Sequence, residues 1–151
     1  MARTPTPPNV DKLSEFLCFA VYSANLAFGR AYRPILDKLG LTYTQYVTLV
    51  ALREGDDQTV GALGNKLFLE SNTLTPILKK LETLGLVERR RDPADERQVR
   101  VNLTPSGREL QRQVECDAAK LFEATGLGDD FTKVQQTIAQ LRDNLLSATE
   151  A

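Results

Sequence analysis

The stretch Ser71–Gly85 (SNTLTPILKKLETLG) decides how the chain folds, because its apolar residues recur at helix spacing. These residues are Leu74, Ile77, Leu78, Leu81 and Leu84. The spacing predicts an amphipathic helix with one face to bury. Ser71 or Asn72 is expected to cap this helix, and Gly85 to end it. Pro76, close to the first turn, is tolerated there, whereas a proline deep inside would break the helix.

The polar side of the same helix carries hydroxyl and amide groups at its front and lysines behind them. The residues predicted to meet DNA are Ser71, Asn72, Thr73, Thr75, Pro76, Lys79 and Lys80. This order suits a helix that enters the major groove by its N-terminus, with lysines near phosphates. By itself the pattern describes any amphipathic helix. The flanking sequence therefore has to decide between the two.

Behind the helix, a basic segment has the pattern of a β-hairpin. Residues 86–91 (LVERRR) and 98–103 (QVRVNL) predict two short strands, and residues 92–97 (DPADER) have turn chemistry. A helix followed by a basic hairpin is the layout of a winged helix-turn-helix, whose hairpin tip reaches the minor groove. The predicted wing contacts are Arg89, Arg91, Asp95 and Arg97, with Asp95 orienting the Arg97 guanidinium. The alternative is a solvated hairpin edge protected by arginines.

Composition excludes several classes of site. The chain of 151 residues has no histidine, which excludes His-dependent triads and His-ligated metal sites. No phosphate loop or dinucleotide fingerprint is present, so neither a cofactor nor a metal is predicted. The net charge is only −1, but residues 71–104 hold seven basic and five acidic side chains, so positive charge is local.

The remaining segments predict a three-part organisation. Residues 1–40 form an N-terminal helical segment, 41–104 the winged helix-turn-helix and 105–151 a C-terminal helical segment. Both terminal segments have apolar stripes, which either pack within the chain or intertwine across the two-fold axis of a homodimer. Two cysteines in a chain of this length favour a reducing, cytoplasmic location. Met1–Val10 has no apolar run, so no membrane segment is expected there.

Local signals locate several helix ends. Asp11 is expected to cap a first helix that runs past Ala27 and is ended or kinked at Pro34. Thr42 with Gln45 forms a capping-box pattern, and Thr59 and Thr104 have the position of caps. Close helix packing is expected at Gly61 and Gly64.

Four motifs resemble the multiple-antibiotic-resistance regulator (MarR) family over nearly the whole chain. They are LFLES at 67–71, LETLGLV at 81–87, DPADER at 92–97 and LTPSG at 103–107. The resemblance implies a mainly α winged helix-turn-helix protein with a small β-hairpin wing. It also implies a homodimeric transcription factor, usually a repressor, with N- and C-terminal helices forming the dimerisation region.

Cys18 lies in an apolar context, LCF at 17–19, where a lone cysteine is usually a small buried hydrophobe. Tyr22 is four residues on, so its hydroxyl can lie back over the sulfur. Cys18 is predicted about two turns into its helix, too far for help from the helix dipole, so a thiolate there needs hydroxyl donors. Tyr32 is about 21 Å away along an unbroken helix. It therefore reaches Cys18 only through a break at Pro34 or from another subunit.

The LCF triplet with Tyr22, Tyr32 and Tyr43 resembles the organic hydroperoxide resistance regulators (OhrR), a branch of MarR. This resemblance implies that Cys18 is a peroxide sensor, held as a thiolate by those tyrosines, some of them donated across the dimer. It also makes Cys116 a candidate resolving cysteine. The alternative for Cys116 is a free thiol on the dimerisation helix.

The sequence therefore predicts a redox-sensing repressor and not an enzyme. It binds palindromic double-stranded operator DNA when Cys18 is reduced and releases it when an organic hydroperoxide oxidises Cys18. One alternative is a MarR-type repressor released by a small phenolic or lipophilic ligand, with a structural Cys18. The other is a thiol peroxidase, which leaves the DNA-reading segment unexplained.

Overall fold

Six α-helices and three short strands make up residues 11–150, the part of the chain that the computed structural model describes. In chain order they are α1 (Leu17–Leu36), α2 (Tyr43–Arg53), β1 (Gln58–Thr59), α3 (Val60–Leu67), α4 (Ser71–Thr83), β2 (Val87–Arg91), β3 (Val99–Leu103), α5 (Pro105–Ala124) and α6 (Phe131–Glu150). The predicted mainly α fold with a small β wing is confirmed. The predictions for Met1–Val10 lie outside the described residues.

The described chain consists of two units, which divide within α5 between Cys116 and Asp117. The core of the first unit is built from leucines and valines of α2, α3, α4 and the two long strands. Its fully buried members include Leu49, Leu52, Leu63, Leu74, Leu78, Leu81, Val87, Val101 and Val114. In the second unit, the ring of Phe131 at the start of α6 packs on Phe122, with centroids 4.6 Å apart.

The start of α1 differs from the prediction. Asp11 caps nothing, because a separate 3-10 turn at Leu13–Glu15 precedes α1 and Phe16 is the extended residue at its N-cap. Nor does Pro34 end the helix, which continues to Leu36. The φ of proline is compatible with a helix, and near the C-terminal end only one backbone hydrogen bond is lost. A second 3-10 turn then ends at Gly40, whose φ of 68° is left-handed.

The caps of α2 and α3 follow the sequence signals. Gln45 N–H donates to Thr42 Oγ1 at 3.2 Å, and Thr42 N–H donates to Gln45 Oε1 at 3.0 Å, which confirms the capping box. Thr59 caps α3 by accepting from Ala62 N–H at 3.1 Å. A Cβ on Gly64 would lie 2.7 Å from Leu69 O, so the close approach there is confirmed. Gly61, by contrast, faces open space, and the packing predicted for it is wrong.

Helix α4 buries the predicted face and ends as expected, but its cap is different. Its N-cap is Glu70, with no side-chain hydrogen bond, so Ser71 is the first helical residue and neither it nor Asn72 caps the helix. At the C-terminus, Leu86 N–H donates to Leu81 O at 3.0 Å around Gly85, whose φ is 73°. This is the Schellman arrangement that a left-handed glycine permits. Leu84, predicted to be inward, is exposed.

The wing is a three-stranded antiparallel sheet in the order β1–β3–β2. Arg89 pairs with Val101 in the predicted hairpin, and Gln58 pairs with the same Val101 from the other side. Strand β1 was not predicted, because two residues next to a helix cap carry no strand pattern. The pairing attaches the base of the wing to the turn before α3.

Candidate nucleic-acid interface and cysteine site

The polar residues predicted on α4 lie on its accessible side. Ser71, Asn72, Thr73, Pro76, Lys79 and Lys80 are exposed, and Thr75 is half-buried. Ser71 and Thr75 line a groove of about 310 Å³ together with Arg89 and Arg97 of the wing. The structure therefore brings the front of α4 and two of the wing arginines to one surface. Lys79 and Lys80 lie further along the helix, outside that groove.

The wing loop is built by two carboxylates that bind backbone N–H groups. Asp92 is buried, and its Oδ1 accepts from Ala94 N–H at 2.9 Å. Asp95 Oδ1 accepts from the backbone N–H of Arg97 at 3.1 Å. The prediction that Asp95 orients the guanidinium is therefore wrong, because a side chain two residues back reaches the main chain first. The guanidinium of Arg97 has no hydrogen bond or ion pair within residues 11–150.

A charged network at the base of the wing was not predicted. Asp57, at a left-handed φ of 59°, accepts from Arg90 at 2.8 Å, and its carbonyl accepts from Arg100 Nη1 at 2.7 Å. Arg100 Nε also donates to Asp92 at 2.8 Å. Asn102 Oδ1 accepts from the backbone N–H of Asp57 at 2.6 Å. Hydrogen bonds from Arg90 and Asn102 lower the pKa of Asp57. The only sequence signal was the clustering of opposite charges.

The arginines of β2 differ in their pairing. Arg89 is half-buried and donates from Nε to Glu82 Oε2 at 3.0 Å, and this pairing lowers the pKa of the Glu82 carboxyl. The side chain of Arg91 is exposed and makes no hydrogen bond or ion pair within the described part of the chain. Of the two DNA contacts predicted on this strand, Arg91 is available to bind a phosphate, whereas Arg89 is already hydrogen-bonded to Glu82.

Cys18 lies in the first turn of α1, as the second residue after the N-cap Phe16, rather than two turns in. Its side chain is exposed in this chain, so no residue of the described chain buries it as a small hydrophobe. The backbone N–H groups and dipole at a helix N-terminus favour an anion there. Cys116 is also a free, exposed thiol, on α5.

The tyrosines divide into two places. Tyr22 is exposed, with its ring 6.4 Å from that of Phe19 near Cys18. The ring of Tyr32 lies 5.2 Å from that of Tyr43 and 5.6 Å from that of Tyr46, which was not predicted to belong to the site. Burial raises the pKa of all three of these phenols, so they remain protonated donors at neutral pH. We call Tyr32, Tyr43 and Tyr46 the phenol cluster.

The phenol cluster and Cys18 are separated within one chain. Because α1 is unbroken between Cys18 and Tyr32, the two residues lie about 21 Å apart along its axis. The route through a break at Pro34 is therefore closed. None of the phenol-cluster hydroxyls makes a hydrogen bond within residues 11–150, and neither does the sulfur of Cys18.

Two further features bear on the class of protein. In the described part of the chain, no cluster of acidic or cysteine side chains has the arrangement of a metal site. No helix between residues 11 and 150 has the length and apolarity that crossing a bilayer requires.

Comparison with known proteins shows which family has this architecture. The profile of the transcriptional regulator SarA/Rot family matches residues 30–114, from the second half of α1 through the wing and into α5. The chain belongs to this family of MarR-type winged-helix regulators. The motif-based recognition is thereby confirmed, and the regulator is a DNA-binding transcription factor by family.

Relatives of the regulator include proteins with named functions. The HTH-type regulator TtmR of Methylorubrum extorquens is 46% identical over 134 residues, 88% of this chain and 69% of the relative. The organic hydroperoxide resistance regulator of Bacillus subtilis is 37% identical, with 89% and 92% covered. The structure of reduced AbfR bound to DNA superposes with a TM-score of 0.77 at 36% identity, with 89% and 94% covered. These relatives are transcriptional regulators rather than enzymes.

Arg97→Ala is expected to weaken operator binding by about 1–3 kcal/mol, because the free guanidinium of the wing loop is available for the minor groove. The slope of log affinity against log salt should fall by about one unit per half-site. The measurement is fluorescence anisotropy on a duplex that the wild-type regulator selects from a random-sequence pool, the selected duplex. A rearranged duplex of the same composition, the scrambled duplex, is the control. An unchanged affinity and slope would remove Arg97 from the interface.

Asp92→Asn is expected to lower the melting temperature at neutral pH but to have little effect in acid. The Ala94 N–H and the Arg100 side chain hold the pKa of Asp92 below its ordinary value of 3.8. A carboxyl whose pKa is lowered by folding stabilises the folded chain at any pH above its pKa in the unfolded chain. This stabilisation is lost as the pH falls through the pKa of the folded chain. The gap between wild type and variant should therefore close below about pH 4. Asp117→Asn, at an exposed position, is the charge-matched control, and a pH-independent gap for Asp92→Asn would contradict the prediction.

Proposed function

We propose that this regulator is a redox-sensing repressor that binds palindromic operator DNA when Cys18 is reduced and releases it when an organic hydroperoxide oxidises Cys18. The observation that carries the proposal is the separation of two complementary groups. Cys18 is exposed at a helix N-terminus, and the phenol cluster holds protonated hydroxyls with no hydrogen bond in the described chain. A second copy of the chain is the way to bring these donors to the sulfur.

The exposed apolar side chains support a homodimer. On α1 they include Leu17, Val21, Leu26 and Phe28, and on α6 they include Ile138, Leu145 and Leu146. Large apolar patches on a protein surface mark interfaces, because leaving them in water forgoes the hydrophobic stabilisation of burial. The terminal segments 1–40 and 105–151 therefore form the dimerisation region in this proposal, and 41–104 form the DNA-binding domain.

The chemistry begins with the sulfur of Cys18. Its thiolate attacks the terminal oxygen of the hydroperoxide, so that an S–O bond forms, the O–O bond breaks and the alkoxide leaves as an alcohol after protonation. Cys18 is thereby oxidised to a sulfenic acid and the peroxide reduced. A thiolate, from Cys116 of a second copy or from a small cellular thiol, then attacks the sulfur, forming a disulfide and releasing water. Phe16 and Phe19 beside Cys18 favour an organic peroxide on polarity alone.

Release of DNA follows from the loss of the hydrogen-bond acceptor. A sulfur bonded in a disulfide is uncharged and a much weaker acceptor than a thiolate, so it no longer holds the phenol hydroxyls of the partner and the helices that carry them are free to rearrange. Operator binding requires the two α4 helices to match half-sites about one DNA turn apart. AbfR, a structural neighbour, has been solved in a reduced form bound to DNA, in an overoxidised form bound to DNA and in a disulfide form, so the step that releases DNA in this proposal is formation of the disulfide.

The test is a titration of the complex with the selected duplex by cumene hydroperoxide, followed by anisotropy, with non-reducing gels alongside. Wild type is expected to release DNA, and dithiothreitol to restore binding. Cys116→Ser is expected to form the sulfenic acid but to lose any disulfide made by Cys116. Indifference of the complex to hydroperoxide would refute the redox proposal, and release by a phenolic ligand in its place would promote the ligand-responsive alternative.

A further inference from the structure

Glu82, in the last turn of α4, accepts three hydrogen bonds from a single residue of the wing. Arg89 donates from its backbone N–H at 3.1 Å, from Nε at 3.0 Å and from Nη2 at 3.4 Å, the last to the second carboxylate oxygen. The Arg89 side chain retains 23% of its exposure and that of Glu82 42%. A mobile surface ion pair holds one contact at a time, whereas this carboxylate is fixed by main chain and side chain together.

The position of Arg89 in the sheet explains why its N–H is available. Strand β2 lies at an edge, because the order β1–β3–β2 leaves it paired with β3 alone. The N–H of Arg89 is directed to Glu82 rather than to β3. Within residues 11–150, the only other hydrogen bond between α4 and the start of the hairpin segment is the backbone one from Leu86 N–H to Leu81 O. In the described chain, the Glu82–Arg89 pair is therefore the one side-chain hydrogen-bonded link between the helix and the wing besides apolar packing.

Arg89 also lines the groove that contains Ser71, Thr75 and Arg97, where a free arginine would serve as a phosphate ligand. Its charge, however, is already neutralised by Glu82. Binding a phosphate through Arg89 would either break the three hydrogen bonds or bring the Glu82 carboxylate up to the phosphate. Either outcome is unfavourable, so the pair is better suited to holding the wing in place than to binding a phosphate.

We propose that Glu82 is a positioning residue for DNA recognition. Through its hydrogen bonds to Arg89 it holds the wing at a fixed angle to α4, so that the two elements enter adjacent grooves together. We call this role of the Glu82–Arg89 pair a strut. The inference rests on the operator binding of the proposed function and is independent of its redox step.

The two possible roles of Arg89 predict opposite effects of Glu82→Gln. If the pair is a strut, loosening it should weaken binding of the selected duplex about tenfold while leaving the scrambled duplex within about twofold, because only specific binding needs both elements in register. If Arg89 is a phosphate ligand restrained by Glu82, the same change should tighten binding of both duplexes. Glu88→Gln is the matched control, because it removes the same charge from an exposed residue of β2 that has no ion pair in the described chain.

The experiment measures anisotropy with both duplexes across a salt series for Glu82→Gln, Arg89→Gln, their double variant and Glu88→Gln. If the pair is a strut, the two single variants should lose the same affinity for the selected duplex, and the double variant should lose no more. The slope of log affinity against log salt should be unchanged. The strut role is overturned if Glu82→Gln binds DNA as tightly as wild type or more tightly, or if it weakens binding of both duplexes equally. It is also overturned if Arg89→Gln reduces the slope of log affinity against log salt by about one unit per half-site. If the wild type selects no duplex from the pool, it is operator recognition itself that fails.

Discussion

Cys18→Ser is expected to bind the selected duplex as tightly as wild type and to retain it at every cumene hydroperoxide concentration that empties the wild-type complex. The substitution changes one atom at an exposed site in the first turn of α1, far along the chain from α4 and the wing. A serine hydroxyl still accepts a hydrogen bond from a phenol but does not react with a peroxide. The expected effect is therefore complete loss of response without loss of binding.

Cys116→Ser is the matched control for Cys18→Ser, because it makes the same change at the second exposed thiol. It should still respond to hydroperoxide, with release slowed or dependent on an added small thiol. The assignment of the sensor to Cys18 would be contradicted if Cys18→Ser released DNA at the wild-type dose. A dimer cross-link that persists in Cys116→Ser would remove only the resolving role.

Gly107→Ala is expected to lower the free energy of unfolding by about 3 kcal/mol, the upper range for overpacking a buried site. A Cβ at this position would lie 2.2 Å from Leu86 O and 3.1 Å from Leu103 Cδ2. The carbonyl cannot withdraw cheaply, since it accepts from Thr104 N–H at 3.1 Å, and Gly107 N–H itself donates to Thr104 Oγ1. The backbone of α5 and that of the turn after α4 would have to separate.

The measurement for Gly107→Ala is urea unfolding at a fixed protein concentration, because dimerisation would make stability depend on concentration. Ser106→Ala is the control one residue away, since Ser106 is exposed in the same helical turn and its loss should change stability by less than about 0.5 kcal/mol. A variant that fails to fold beside a normal Ser106→Ala agrees with the prediction. Equal unfolding curves for Gly107→Ala and wild type would show that the contact relaxes without cost.

The elements that the sequence predicted well are those whose signals are local. The buried Leu74, Leu78 and Leu81 of α4 follow from helix spacing, and Gly85 ends the helix because a left-handed φ suits glycine. The Thr42 capping box depends on residues three positions apart. Interactions between residues only a few positions apart can be predicted from the sequence, so no tertiary information is needed to find them.

The beginning of α1 shows where local signals compete. Asp11 has the chemistry of a cap and Phe16 fits the apolar pattern, yet the backbone turns at Leu13–Glu15 and the helix starts afterwards. The start of a helix depends on small differences among several possible caps, and a residue pattern alone does not rank them. For Cys18 the shift of the cap from Asp11 to Phe16 matters, because it places the sulfur at the helix N-terminus.

The sequence by itself determined the winged helix, the polar face of α4 and the presence of arginines in the wing. Only the tertiary structure decided which arginines are available. Arg89, Arg91 and Arg97 are equivalent in a sequence pattern, but Arg89 is held by Glu82, whereas Arg91 and Arg97 have no such partner within residues 11–150. The reason is that pairing of charges depends on distance in space, and partners such as Asp57 and Arg90 come from elements far apart in the chain.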